Sequence, residues 1–280
     1  MTGVYNGFYD RHDNNRGEVA SLALSPDGRC FATAAGGCDI ALWDVQTGTH
    51  ISTLEYAMEA SSLEFLPDSH LVSGNKNGEI SLWDIVTGSR VRIVDAHNGR
   101  ITSLSASQSK MASGSQDRTV RVWDTATWEC ARMFECDDEV LSVALYPNSD
   151  RVAACTSKTL YVWDAATQQL IASKNIKGCI RVAVSNDRKW LAVGSFRTIS
   201  LYDASTLNCI WSHHPGSWFV SFSHDSCQLV STNLKYCKVS LFDVDTGNLV
   251  KSFKHVYVEC AAFSQDSTRV LSGESCSVAL

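Results

Sequence analysis

The sequence predicts an all-β fold, a ring of radially packed, four-stranded antiparallel sheets, on three observations. First, an apolar strand ends in an aromatic residue followed by Asp six times, at Trp43, Trp83, Trp123, Trp163, Tyr202 and Phe242, with successive spacings of 40, 40, 40, 39 and 40 residues. A fixed period of this length marks one supersecondary unit copied along the chain, and an aromatic-Asp ending marks a propeller blade. Second, turn-forming residues recur between short apolar runs, as in a meander of strands. Third, large apolar groups stand side by side before each Asp, Leu42 beside Trp43 and Leu82 beside Trp83. Neighbouring side chains on a strand point to opposite faces, so both faces need cover, and a blade on either side supplies it.

The repeat over residues 97–135 is the clearest. Ile101-Thr102-Ser103-Leu104 opens a first strand, Met111-Ala112-Ser113-Gly114-Ser115 a second, Thr119-Val120-Arg121-Val122-Trp123 a third and Ala131-Arg132-Met133-Phe134 a fourth. The turn between first and second strands recurs as Ser25-Pro26-Asp27-Gly28, Leu66-Pro67-Asp68-Ser69, Tyr146-Pro147-Asn148-Ser149, Ser223-His224-Asp225-Ser226 and Ser264-Gln265-Asp266-Ser267. Pro presets φ there, and Asp or Asn bonds nearby backbone. A second turn follows each aromatic-Asp pair, as in Asp44-Val45-Gln46-Thr47-Gly48 and Asp243-Val244-Asp245-Thr246-Gly247, where Asp and Thr cap the reversal. The blades are expected at residues 17–55, 57–95, 97–135, 137–175, 177–213 and 214–255, with a seventh formed by 256–280 plus 2–11.

The bulk composition agrees with one domain across residues 1–280. With 44% apolar residues, 19% charged residues and 4 Pro, a large core is available and disorder is disfavoured. A net charge of -6 argues against a grip on nucleic acid, which needs a basic stripe. No apolar stretch is long enough for a membrane helix, so no membrane insertion is expected, and Met1-Thr2-Gly3-Val4-Tyr5 lacks the pattern of a signal peptide. The 11 cysteines are scattered, odd in number and without a CxxC pair, which suits reduced, buried thiols. The expected location is intracellular, cytoplasmic or nuclear.

No catalytic, cofactor-binding or metal-binding residues are expected, since HExxH, GxSxG and phosphate-loop patterns are all missing. The recurrent Asp residues follow the repeat, as turn caps do. First-strand positions Leu22, Leu104, Val143 and Val220 do not suggest a polar channel. Trp128 replaces the Gly of other turns and is read as a rim contact or, in preference, as a lid over its own blade. The loops that the repeat leaves variable gather on one rim, and their candidate partner-binding residues are Glu18, Glu59, Lys76, Arg100, Gln116, Glu139, Trp218 and Tyr257.

These repeats resemble those of the WD-repeat (WD40) β-propeller family, over essentially the whole chain. The resemblance implies a buried tetrad of His, Ser or Thr, Asp and Trp, which His97, Ser113, Asp117 and Trp123 match in full. Elsewhere the Asp position holds Gly37, Asn77 or Ser157, and the hydroxyl position holds Thr33, Ser73 or Ala153. His213-His214, His255 and His12 fall at blade starts, where the family places its tetrad His. It also implies closure of a seven-bladed ring by the N-terminal strand, roughly Val4 to Tyr9, since Thr2 and His12 stand as far apart as Thr87 and His97. The bland alternative is a fragment of a longer protein.

By the same resemblance the chain is expected to be a non-enzymatic scaffold or recognition module, a monomeric propeller within a complex, holding other proteins or peptides on its rim and edges. One alternative is the sensor or docking domain of a larger signalling or ubiquitin-ligase protein. Adaptors of that kind often carry Arg two residues after Trp-Asp, whereas Gln46, Val86, Ala126, Ala166, Ser205 and Asp245 stand at the corresponding positions here. The other is an enzyme using the central channel.

Overall fold

The computed structural model describes residues 19–35, 39–55, 57–147, 151–233, 235–254, 260–264, 266–274 and 277–279, and within them every regular element is a strand. Blade 1 comprises β1 (Val19–Leu24), β2 (Cys30–Ala35), β3 (Ile40–Asp44) and β4 (His50–Leu54). Blade 2 has β5 (Ala60–Phe65), β6 (Leu71–Asn75), β7 (Glu79–Asp84) and β8 (Ser89–Asp95), and blade 3 has β9 (Ile101–Ser107), β10 (Lys110–Ser115), β11 (Thr119–Asp124) and β12 (Cys130–Glu135). In blade 4 these are β13 (Ser142–Leu145), β14 (Arg151–Cys155), β15 (Thr159–Asp164) and β16 (Leu170–Asn175). Blade 5 runs through β17 (Cys179–Val184), β18 (Trp190–Ser195), β19 (Ile199–Asp203) and β20 (Cys209–His213), and blade 6 through β21 (Phe219–Phe222), β22 (Gln228–Asn233), β23 (Lys238–Asp243) and β24 (Leu249–Lys254). The last sheet contains β25 (Cys260–Phe263), β26 (Val270–Glu274) and β27 (Ser277–Ala279).

Each blade is an antiparallel meander in chain order. Of the seven four-stranded blades expected, the described residues form six, and the seventh sheet has three strands. The strand assigned to complete it, Val4 to Tyr9, lies outside the described residues. Contacts between first strands nevertheless run in a circle, from β1 through β5, β9, β13, β17 and β21 to β25 and back to β1.

The paired apolar residues before each Asp explain why the blades stack. Trp83 packs into the cluster shared with blade 1, whereas adjacent Leu82 packs into the cluster shared with blade 3. Trp123 and Val122 divide in the same way between blades 2 and 4, and Trp163 and Val162 between blades 3 and 5. Strand alternation therefore turns one dipeptide into both walls of a blade. The last interface joins Leu271 of β26 to Phe31, Val45 and Trp43 of blade 1.

Antiparallel order also fixes two rims. Turns β1–β2 and β3–β4, with their equivalents, lie on one; turns β2–β3 and the loops between blades lie on the other. No helix of the described residues is long and apolar enough to cross a membrane.

Candidate interaction rim

The turns after Asp44, Asp84, Asp124, Asp164, Asp203 and Asp243 are built alike. Each carboxylate accepts hydrogen bonds from backbone N–H groups two or three residues ahead, such as Thr47 N at 2.7 Å, Val86 N at 2.9 Å and Thr246 N at 2.8 Å. Those bonds, with hydroxyls of the same turns, hold all six carboxyls below the usual range. Asp203, bonded by the Ser205 and Thr206 hydroxyls and by their backbone N–H groups, is brought down to about 2. These are ionised acceptors engaged with their own backbone, and this rim is a repeated, self-capped surface.

Trp128 sits in one such turn with φ 62° and is 8% exposed. It packs with Trp123, Met111 and Leu104 of its own blade and with Leu66 and Leu82 of blade 2, so the lid covers the seam between two blades.

The opposite rim is irregular. Blade 3 anchors it through a buried chain: the Trp123 indole N–H donates to Ser113 Oγ at 2.8 Å, the Ser113 hydroxyl donates to His97 Nε2 at 2.7 Å, and His97 Nδ1–H donates to Asp117 at 2.9 Å. Burial holds His97 below its ordinary pKa against the opposing pull of Asp117, which keeps Nε2 free to accept. For Asp117 burial works upward, but hydrogen bonds from the Thr119 hydroxyl, the Asn98 N–H and the His97 ring outweigh it and hold the carboxyl low.

Other blades keep parts of this chain. Trp83 and Trp43 donate to Ser73 at 2.9 Å and Thr33 at 3.2 Å. In blade 4 the roles are exchanged: Asp137, in the loop before the first strand, takes the Thr156 and Thr159 hydroxyls at 3.1 Å each, and Asp138 takes the Ser157 hydroxyl at 2.9 Å. The reading of His213-His214 as a tetrad position is corrected. His213 lies in β20, its ring 5.5 Å from Phe242 and nearly parallel to it, and His214 Nδ1 bonds the Arg197 carbonyl at 2.7 Å. Phe242 has no indole N–H, so that blade has no donor for a tetrad to serve. His12 and His255 lie outside the described residues.

Six of the candidate rim residues are described, and all are exposed: Glu59, Lys76, Arg100, Gln116, Glu139 and Trp218. Glu18 and Tyr257 lie outside the described residues. Glu59 pairs with Lys76 at 2.7 Å within blade 2. Gln116 donates to Glu139 at 3.3 Å across blades 3 and 4, and its backbone N–H donates to the Arg100 carbonyl at 2.9 Å. Trp218 meets Phe196 edge to face, with centroids 5.3 Å apart. The structure thus joins these residues to neighbours along one rim and does not draw them into one pocket. Among the described residues no group of His, Cys, Asp and Glu is arranged to hold a metal ion.

Sequence reading missed the polar stitching of the inner strands. Leu63 N donates to Ser21 Oγ at 2.9 Å, Leu104 N to Ser62 at 3.0 Å, Val143 N to Ser103 at 3.1 Å and Val182 N to Ser142 at 3.3 Å. An innermost strand is a sheet edge with unpaired N–H groups, and on each of these four strands a hydroxyl from the preceding blade answers one of them. The signal was present as a Ser recurring once per repeat, but Ser is too common in this chain to stand out. At the next position the series changes to Arg181, whose guanidinium lies 5.7 Å from the Phe219 ring centroid.

Two family models match the chain: a WD domain, G-beta repeat, over residues 4–44, and a TEP-1 C-terminal beta-propeller over residues 97–158. No curated protein matches it.

Proposed function

We propose, from the premise that this chain is a WD40-repeat β-propeller, that it is a non-enzymatic scaffold which holds other proteins or peptides on the irregular rim. Propellers of this family generally mediate protein–protein interactions. The observation that carries the reading is the contrast between the rims. One is made six times from the same Asp-capped turn, whereas the other presents different charged and aromatic side chains at each blade. Variable loops on a rigid frame are where recognition is built.

The chain is read as a single ring acting inside the cell, with its last blade completed by residues 4–9. Three features support that completion. Among the described residues β27 pairs only with β26, the last sheet already packs on blade 1, and the WD-repeat match begins at residue 4. Deleting residues 2–11 should therefore lower thermal stability; an unchanged midpoint would reject this closure.

Proximity labelling by the full chain tests the rim. Glu59→Arg, Glu139→Arg and Trp218→Ala should each remove labelled partners without altering stability, and Thr87→Ala on the capped rim should remove none. Identical partner sets for all four variants, or turnover of a small molecule by the purified chain, would overturn the proposal.

A further inference from the structure

Among the described residues of the irregular rim, blades 5 and 6 differ from blades 2 to 4 in both charge and exposed aromatic surface. The segments 174–178, 195–198, 213–219 and 235–238 contain no Asp or Glu, although the chain as a whole carries -6. They present Lys177, Arg197 and Lys235 as exposed cations, and the ion pairs among the described residues all lie elsewhere. Three aromatics stand among them: Phe196 at 61% exposure, Tyr236 at 54% and Trp218 at 39%. Blade 4, next along the same rim, presents Asp137, Asp138 and Glu139 instead.

The segments are tied together. Ser217 N donates to the Ser195 carbonyl at 2.8 Å and Phe196 N to the Gly178 carbonyl at 3.0 Å. The Asn233 amide donates to the Gly216 carbonyl and its oxygen accepts from Tyr236 N at 3.0 Å, so the turn bearing Tyr236 is fastened to the loop bearing Trp218. Gly216 lies so close to the Ser195 and Phe196 carbonyls that any side chain there would overlap them. The aromatics are thus displayed from fixed backbone, which lowers the ordering cost of binding.

We infer that this sector of the rim binds an extended acidic peptide segment of another protein, with an aromatic or aliphatic side chain seated among Phe196, Trp218 and Tyr236 and its carboxylates facing Lys177, Arg197 and Lys235. The inference rests on the rim reading above and names its partner chemistry. Charge complementarity selects an acidic partner, and exposed Trp, Tyr and Arg are the side chains that anchor interfaces. A nucleic acid is disfavoured because a longer polyanion running along the rim would meet the carboxylates of blade 4.

Fluorescence anisotropy with the full chain tests this. The probes are a short labelled peptide in which Asp and Glu flank a central Phe, its counterpart with Lys for the acids, its counterpart with Ala for Phe, and labelled oligouridine. The acidic Phe peptide should bind most tightly and weaken with added salt. Trp218→Ala and Arg197→Glu should each weaken it at least about tenfold, and Thr87→Ala on the capped rim should not. Both positions are exposed, and circular dichroism verifies that the variants fold. No binding of the acidic peptide, binding that neither substitution weakens, or tighter binding of the basic peptide or oligouridine overturns the inference. If partners labelled in cells are lost with Glu59→Arg and Glu139→Arg but kept with Arg197→Glu, the rim reading stands and this assignment alone falls.

Discussion

Ser103 Oγ accepts the Val143 N–H at 3.1 Å, so that a side chain of blade 3 completes the backbone of blade 4. Ser103 is 4% exposed, and the strand that holds Val143 has no sheet neighbour on that side. Ser103→Ala leaves a buried N–H without a partner, a cost of about 1–3 kcal/mol. The thermal midpoint should fall by roughly 2–8 °C. An unchanged midpoint in calorimetry would remove the stitching argument.

Ser113 has two obligations where Ser73 has one. Ser113 serves both the Trp123 indole and His97 Nε2, whereas among the described residues Ser73 serves the Trp83 indole. Ser113→Ala should therefore cost about 2–4 kcal/mol and Ser73→Ala about 1–2 kcal/mol. Urea unfolding of the two variants decides it, and equal losses would show that the His97 bond contributes nothing.

Glu64 lies between blades 2 and 3, accepting from Ala106 N at 3.3 Å, and burial pushes its carboxyl up to about 7. In the unfolded chain it titrates near 4.5. Between those values the folded state holds the proton more often, so stability is full below the lower value and declines as pH rises to the upper one and through it, by about 3 kcal/mol in all. Glu64→Gln should abolish this decline and be more stable than the parent at mildly alkaline pH. Parallel pH dependence of the two chains, read from urea midpoints, would contradict the assignment.

His97 contributes with the opposite sign. Its lowered pKa means that the unfolded chain takes up the proton first as pH falls below about 6.5, so stability declines toward acid. Protonation also converts Nε2 from the acceptor of the Ser113 hydroxyl into a donor. His97→Gln should flatten the acid limb at a cost in stability at neutral pH, and an unaltered limb in the same titration would count against the chain of bonds.

Trp128→Gly separates backbone from packing. The left-handed φ costs a non-Gly residue about 1–2 kcal/mol, whereas burying a large side chain returns about 2–3 kcal/mol. A net loss of about 1 kcal/mol in denaturant unfolding is expected, and a gain would mean that the indole seals nothing.

Most of the architecture was legible in the residues. The aromatic-Asp dipeptides, the Pro-Asp and Asp-Thr turns and the strand alternation are local signals, so the four-stranded unit and its capped turns were readable from spacing, whereas the tetrad places of His97, Ser113, Asp117 and Trp123 came from the family resemblance. The His213-His214 reading failed because a position in the repeat does not say whether its partner is present, and Phe242 had removed it. Asp137 where blade 3 has His97 and Ser157 where it has Asp117 were hidden for a related reason. Each looks like a loss when read singly, and only the bonds of Asp137 to the Thr156 and Thr159 hydroxyls and of Asp138 to the Ser157 hydroxyl show that the carboxylate has changed sides.

Period, alternation and turn chemistry act over a few residues, and they were enough to specify a four-stranded unit and its repetition around an axis. Which groups meet across the seams required the folded ring, because partners about one repeat apart are brought together by blade stacking and not by chain proximity. Ser103 with Val143 and Ser62 with Leu104 are such meetings. The stitched inner edge and the acid-free aromatic sector of the rim exist only at that level.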